Sequence, residues 1–201
     1  MELRPKYPVR ASRLALRPLR DGDASSLVAY RSLTEVCRFV PFDPMDLQTV
    51  RQRLATTWAA QQIEGEGQHI TLGAELLETG RLIGDVMLLF SSELQRTGEI
   101  GYVFHPDCGG RGYATEAVHT MLHLAFDGLQ LRRIIARVDG ENEASARLAT
   151  RLGMRQEAHQ IENEWFKNRW SDELDFAILD REWRSQHAEG CPWSPRMTGT
   201  G

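Results

Sequence analysis

The sequence has few cysteines and no long apolar run, and both absences limit what the protein can be. Its cysteines, Cys37, Cys108 and Cys191, are odd in number and widely separated, with no CxxC pair, so neither a disulfide framework nor a zinc site is expected. No apolar stretch approaches the roughly 20 residues that a membrane span needs. The N-terminal stretch MELRPKYPVR is charged and broken by prolines, unlike a signal peptide. The sequence therefore predicts a cytoplasmic protein that does not enter a membrane.

The sequence also lacks an excess of positive charge. Its 24 lysines and arginines are outnumbered by 28 aspartates and glutamates, which gives a net charge of −4 and no support for binding nucleic acid through phosphates. The 201 residues are 41% hydrophobic and 26% charged, a composition typical of one globular domain with a substantial core.

The first half of the chain changes from helical to alternating apolar spacing. Residues 1–12 are predicted to form a loose arm, and Leu14 begins a first strand that Pro18 interrupts. Helical spacing follows Asp23 and returns over 47–63, with a structured loop at 34–44 between the two helices. From His69 the apolar residues alternate, which predicts three strands joined by short turns in an antiparallel meander.

The second half predicts a long helix at 113–129, a strand inside the sheet at 133–138, and a short helix at 143–152. A final pair of strands is expected at 154–164 and 173–179. Residues 184–201 are polar and rich in Gly, Pro and Ser, which predicts a disordered tail. The order of these elements predicts an α+β domain over residues 13–183, with a mixed, mostly antiparallel central sheet of about seven strands and four helices on its faces.

Three glycines lie between a predicted strand and a predicted helix, in the stretch GGRGYAT at residues 109–115. Glycines let backbone N–H groups approach a ligand, and a helix N-terminus favours phosphate. A P-loop would need Gly-Lys-Ser/Thr, but Tyr113 follows Gly112. A dinucleotide fold would need a third glycine where Thr115 stands. Of the three nucleotide-type ligands considered for this turn, the pyrophosphate of coenzyme A remains.

Three sequence blocks then resemble one family. GGRGYATEA at 109–117 resembles the acyl-CoA loop of the GNAT N-acetyltransferase superfamily, and more narrowly that of its RimJ/RimL-like branch. The block from Asn142 to Met154 is similar to that branch's N-x-x-S-x-x-L-x-x-x-L-G-F pattern, and RWSD at 169–172 with Glu182-Trp183 also fits. Gly109 stands where Gln or Arg is usual, so Arg111 and backbone amides are expected to hold the pyrophosphate.

The resemblance implies transfer of an acetyl group from acetyl-CoA to a primary amine, by direct attack on the thioester and without a metal. The acceptor would be a protein N-terminus or a small-molecule amine, and the protein a monomer or homodimer. The acetyl oxygen is expected at backbone amides around Val103 and Phe104, which a β-bulge would free from the sheet. The implied pyrophosphate ligands are Gly110, Arg111, Gly112, Tyr113, Ala114 and Thr115, and Asn142 would contact the pantetheine arm.

Glu99 and Ser145 are the candidate catalytic residues. Glu99 would act as a general base through water, or would be only a solvent-facing charge at the end of a strand. Ser145 would hydrogen-bond the leaving sulfur, or would serve only the first turn of its helix beside Asn142. Many superfamily members have a tyrosine in this helix, where the present sequence has Ala149.

Two alternatives to acetyl transfer remain open at this stage. One is a non-catalytic acyl-CoA-binding module with a regulatory role, and the other is an enzyme that uses a different acyl donor. His119 and His123 have the spacing of a metal-binding pair, but they lack a third ligand in the sequence. They are therefore expected to be solvated on the polar face of their helix.

Overall fold

An eight-stranded sheet lies at the centre of the protein, for which a computed structural model describes residues 1–187. The strands follow the spatial order β1-β2-β3-β4-β5-β6-β8-β7. All neighbours are antiparallel except β5 and β6, which are parallel. The strands are β1 (Val9–Arg10), β2 (Leu14–Pro18), β3 (His69–Leu76), β4 (Leu82–Ser92), β5 (Thr97–Phe104), β6 (Arg133–Asp139), β7 (Arg155–Phe166) and β8 (Arg169–Leu179).

Six α-helices flank this sheet within residues 1–187: α1 (Ala24–Arg31), α2 (Thr34–Cys37), α3 (Leu47–Ala55), α4 (Tyr113–His123), α5 (Glu143–Arg151) and α6 (Asp180–His187). A π-helical turn, Leu124–Gly128, extends α4. The predicted α+β class and the mostly antiparallel sheet are confirmed, with one more strand and two more helices than expected. No helix in the described range has the length and apolarity needed to cross a membrane.

The two faces of the sheet carry separate cores. From Val86 onward, even-numbered residues of β4 and β5, such as Leu88 and Ile100, belong to the main core with α4. A smaller core on the other face joins α1 and α3 to Leu82 and contacts Val103. Because successive side chains of a strand point to opposite faces, Glu99 and Val103 face α1 and α3, whereas Tyr102 and Phe104 face α4.

Several boundaries differ from the sequence prediction. Residues 1–12 are not a loose arm, because Leu3 is buried and pairs with Ile63 and because Val9–Arg10 pairs with β2. The helix predicted at 47–63 ends at Ala55, since Thr56 leaves the helical region of φ and ψ. The loop predicted at 34–44 contains α2. Of the predicted tail, residues 184–187 belong to α6, and residues 188–201 lie outside the described range.

The parallel strands β5 and β6 separate after a short contact. Only Thr97, Gly98 and Glu99 of β5 have partners in β6, although β5 continues to Phe104 and β6 continues to Asp139. This separation leaves an opening between residues 100–104 and residues 136–139, which we call the gap. The predicted β-bulge near Val103 is wrong, because the pairing of β4 with β5 is regular from Gly98 to Phe104.

Candidate active site

The glycine turn leaves the first backbone amides of α4 without a side-chain cap. Gly110 and Gly112 have φ values of 72° and 76°, in the left-handed region that side chains with a Cβ rarely adopt. Gly112 is the N-cap residue of α4, and no side chain caps the helix there. The N–H groups of the first turn are therefore available to an anion, which the helix dipole also favours.

Arg13, the residue before β2, supports the glycine turn. Its backbone N–H and its Nε donate to the carboxylate of Glu116, at 2.6 and 2.8 Å, and Glu116 is completely buried. The Nη1 of Arg13 donates to the carbonyl of Arg111 at 3.0 Å. Its guanidinium also lies 4.6 Å from the ring centroid of Tyr113. The sequence analysis missed Arg13, because a glutamate in the first turn of a helix is common and does not by itself indicate a cationic partner.

A cavity of about 950 Å³ opens at the glycine turn, and we call it the glycine-turn cavity. Its volume lies in the upper part of the usual range for small-molecule sites. Four arginines line it: Arg13, Arg111, Arg147 and Arg151. Residues 110–115 and Phe104, which the sequence proposed for the cofactor, line it as well. Thr115 is buried and accepts a hydrogen bond from Arg151 at 3.2 Å.

The N-terminus of α5 and the side chain of Tyr102 meet beside the gap. Asn142 is the N-cap of α5, and its Oδ1 accepts from the backbone N–H of Ser145 at 3.1 Å. The hydroxyl of Tyr102 donates to the carbonyl oxygen of Ser145 at 3.3 Å. Burial raises the pKa of Tyr102. The sequence analysis missed Tyr102 because alternation alone marks it as one more apolar strand residue.

The backbone amides that face the gap follow from the pairing of β5 with β4. The N–H of His105 donates to the carbonyl of Ile83 at 2.8 Å. Because amides of an antiparallel strand alternate in direction, the N–H of Val103 also points to β4, whereas those of Tyr102 and Phe104 point into the gap. Phe104 therefore keeps its place as a candidate contact to an acyl oxygen. Val103 instead lines a cavity on the opposite face.

Carboxylates collect on that opposite face, around a cavity of about 220 Å³ that we call the carboxylate cleft. The acidic residues that line it are Glu99, Asp139, Glu164, Asp172 and Glu173. Arg137 also lines it and pairs with Glu99 at 2.9 Å. Burial, followed by the charge of Asp175, raises the pKa of Glu173, as expected where carboxylates outnumber cations. Glu99 is thus an ion-paired residue at the cleft, rather than an isolated charge at the end of a strand.

A second cavity on this face, of about 290 Å³, adjoins the carboxylate cleft, and we call it the apolar cavity. Pro41 lines both cavities. The apolar side chains that line the apolar cavity are Val40, Phe42, Trp58, Met87, Leu89 and Val103. Beneath them, Asp85 is buried and accepts from the hydroxyl of Tyr30 at 2.5 Å and from Nη2 of Arg31 at 2.5 Å.

The segment 38–43, which we call the strap, passes between these two cavities and is held at both ends. The ammonium of Lys167, in the turn between β7 and β8, donates to the carbonyl oxygens of Cys37 and Phe42, the latter at 2.7 Å. Arg38 pairs with Glu141 at 2.7 Å. The strap thereby connects the α2 region to the last hairpin and to the loop before α5.

His119 and His123 are not the solvated pair that the sequence predicted. His119 is 3% exposed, and its ring centroid lies 4.8 Å from that of Trp183 in α6. His123 Nδ1 lies 2.9 Å from a carboxylate oxygen of Asp127. Among residues 1–187, no group of three or more His, Cys, Asp and Glu side chains is arranged to hold a metal ion.

Comparison with known proteins gives consistent matches. Residues 13–155 match the acetyltransferase (GNAT) domain family. The chain is 33% identical to the uncharacterized N-acetyltransferase YoaA of Bacillus subtilis over 152 residues, which are 75% of this chain and 85% of that protein. It is 26% identical to the putative ribosomal N-acetyltransferase YdaF of Bacillus subtilis over 148 residues, 74% of this chain and 79% of that one. A GNAT-family acetyltransferase structure from Bacillus anthracis aligns with a TM-score of 0.77 at 28% identity, covering 86% of this chain and 98% of that one.

Proposed function

Because the chain belongs to the GNAT acetyltransferase family, in agreement with its RimJ/RimL-like motifs, we propose that this acetyl-CoA-dependent N-acetyltransferase acts on primary amines that reach the gap from the carboxylate cleft. The observation that carries the proposal is the opposite charge on the two sides of the gap. Arginines and helix amides line the glycine-turn cavity, whereas carboxylates line the cleft. Coenzyme A is polyanionic and a primary amine is a cation at neutral pH, so each side complements one substrate.

In this proposal the cofactor binds along the glycine-turn cavity. Arg111 and the amides of the first turn of α4 hold the pyrophosphate, as a helix N-terminus does for other phosphates. Arg147 and Arg151 are placed to reach the remaining phosphate charge. Asn142 already caps α5 with its Oδ1, and its amide nitrogen is the group we assign to the pantetheine arm. The thioester then lies in the gap, beside Phe104 and the N-terminus of α5.

The reaction forms a C–N bond and breaks the C–S bond of the thioester. The amide of Phe104 donates to the carbonyl oxygen while that oxygen carries negative charge. When the C–S bond breaks, its electron pair goes to sulfur. The hydroxyls of Tyr102, whose pKa burial raises, and of Ser145 donate hydrogen bonds to that sulfur, which leaves as a thiolate and takes its proton from solvent. The second proton of the amine leaves to solvent.

Glu99 is the residue that we assign as general base. A primary amine arrives as an ammonium ion, with a pKa of about 8 for an α-amino group and about 10.4 for lysine, and it must lose a proton before it attacks. Glu99 lies on the strand whose amides face the gap, and it points to the carboxylate cleft. Its carboxylate accepts the proton through water, and the other cleft carboxylates hold the ammonium in place.

The test is release of free thiol from acetyl-CoA in the presence of a panel of amines. We expect release above the rate of spontaneous hydrolysis for at least one amine class, with the acetylated amine identified by mass spectrometry. Tight binding of coenzyme A without thiol release for any amine would favour the non-catalytic module. Faster turnover with propionyl-CoA or succinyl-CoA than with acetyl-CoA would favour a different acyl donor.

A further inference from the structure

We infer that the acceptor is a monoamine with an apolar body, whose ammonium group lies at the carboxylate cleft while its body lies in the apolar cavity. The inference rests on the proposed function, because it assigns the acceptor of that same site.

The two cavities are close enough for one small molecule to occupy both. Glu99 lines the carboxylate cleft, and Gly101 of the same strand lines the apolar cavity. Residues two positions apart on a strand are separated by about 6.6 Å. This distance is comparable to the roughly four to five bonds that separate the nitrogen of an arylalkylamine from its ring. Pro41 of the strap lines both cavities, so the acceptor would pass beneath the strap.

The walls of the apolar cavity suit a ring or a branched alkyl group. The guanidinium of Arg31 lies 4.7 Å from the ring centroid of Phe42 and 4.5 Å from that of Trp58. Each cation–ring contact fixes an aromatic wall in place. The volume of about 290 Å³ exceeds the roughly 150 Å³ that hold benzene in an engineered protein cavity. Aromatic walls of this kind bury apolar surface without a polar partner being required.

The charges of the apolar cavity disfavour a second ammonium group. Arg31 and Arg53 line it, and Asp85 is the one carboxylate among its lining residues within the described chain. That carboxylate already accepts hydrogen bonds from Tyr30 and Arg31. A polyamine that placed its reacting nitrogen in the gap and its chain in the apolar cavity would therefore bring a further cation close to two arginines, which is unfavourable. The cavity should discriminate between amines by charge as well as by polarity.

The inference is tested by comparing kcat/KM for three acceptors: phenethylamine, a peptide with an N-terminal phenylalanine, and spermidine. We expect at least one of the first two to exceed spermidine by 10-fold or more, a discrimination that apolar pockets commonly reach. Phenethylamine as the better substrate would identify a small-molecule acceptor, and the peptide as the better one a protein N-terminus. Either result supports an apolar body.

A variant in the cavity makes the test specific. Leu89 is half-buried and lines the apolar cavity, so Leu89→Glu should lower kcat/KM for the apolar amine by at least 10-fold and raise it for spermidine. The KM for acetyl-CoA should not change. Leu94 is 90% exposed in the turn after β4. Leu94→Glu is therefore the matched control, and it should leave kcat/KM for both acceptors unchanged.

The outcomes separate the inference from the proposed function. If spermidine is acetylated as well as or better than both apolar amines by the wild-type protein, the inference is overturned and the proposed function stands. If no amine releases thiol, the proposed function fails and the inference fails with it. Should Leu89→Glu not fold, as judged by circular dichroism, the ranking of acceptors by the wild-type protein still decides.

Discussion

The glycine-turn cavity and the carboxylate cleft differ in both charge and construction. The first is built mainly from one stretch, residues 104–115, with Arg13 added from just before β2 and two further arginines from α5. The second brings together the strap, β5, β6 and the last hairpin, which are far apart in the sequence. A ligand held by backbone amides can be recognised from a short motif, whereas one held by side chains from distant strands cannot. This difference explains why the sequence indicates the cofactor but does not indicate the acceptor.

The largest effect should come from removing the assigned base on the acidic side. Glu99→Gln keeps the shape of the side chain but cannot accept a proton, so kcat/KM should fall by about 10²- to 10³-fold. Affinity for coenzyme A, measured by calorimetry, should be unchanged. Glu99→Asp should recover part of the activity. An undiminished rate in Glu99→Gln would transfer the role of base to Glu164 or Glu173.

Tyr102 lies between the glycine-turn cavity and the carboxylate cleft, and its substitution tests whether the two substrates react beside it. Tyr102→Phe removes the hydroxyl that donates to Ser145, so kcat should fall by about 10-fold or more while the KM for the acceptor changes little. The loss should shrink with an acetyl thioester whose thiol is more acidic than that of coenzyme A. Tyr7→Phe, which removes a hydroxyl bonded to Gln61, is the control. An equal loss with both thioesters would contradict the assignment.

On the basic side, Arg111→Ala should weaken binding of coenzyme A by about 10-fold, the usual value of one charged hydrogen bond. Because the acceptor does not touch Arg111 in this arrangement, kcat at saturating acetyl-CoA should change less than the dissociation constant. Arg181, an exposed arginine of α6, provides the control Arg181→Ala. A lower kcat in Arg111→Ala with unchanged affinity for coenzyme A would contradict the assignment of the glycine-turn cavity to the cofactor.

Substitution of Lys167 should weaken binding of the acceptor without changing binding of the cofactor. Lys167→Met removes the two hydrogen bonds that hold the strap, so the KM for the acceptor should rise several-fold, with the KM for acetyl-CoA unchanged. Chymotrypsin should also cleave at Phe39 or Phe42 faster than in the wild type. Lys6→Met, at an exposed lysine, is the control, and Lys167→Arg should restore part of the acceptor affinity. Unchanged cleavage and unchanged KM would remove the strap from the acceptor site.

The smallest effect concerns stability and its dependence on pH. The raised pKa of Glu173 means that the folded protein binds this proton more tightly than the unfolded chain, so the ionised carboxylate opposes folding once the pH exceeds that pKa. Glu173→Gln should therefore raise the Tm slightly at pH 7. Below about pH 4 both side chains are neutral, and the difference should vanish. A lower Tm for the variant at pH 7 would show that the hydrogen bonds that Glu173 accepts from Gln160 and Asn163 outweigh the repulsion.

The sequence predicted the parts of the protein that local patterns determine. The strand meander, the helix start at Gly112 and the Asn142 cap follow from spacing and turn chemistry within a few residues. Where burial depends on a distant partner, the predictions were wrong. Ile63 continues the apolar spacing of a helix, but it is buried by pairing with Leu3.

The histidines of α4 and Arg13 show the same physical limit. His119 lies on the side of α4 that Trp183 covers, and nothing in the spacing of α4 indicates that α6 will lie there. Arg13 is 103 residues from Glu116, so the ion pair that supports the glycine turn cannot be read from either segment alone. The catalytic and cofactor roles of Glu99, Ser145 and the residues of the turn remain predictions that the variants above will test.

The short pairing between β5 and β6 has a mechanical consequence. Three consecutive residues of β5, Thr97 to Glu99, join the strands β1–β5 to the strands β6–β8. Within the sheet these three pairs are the connection, while the main core, the strap and the packing of α6 on α4 supply the other contacts between the two parts. The amide of Phe104 lies on one part, and Ser145 is attached to the other. A molecule bound in the gap would contact both parts and would add to the few contacts that join them.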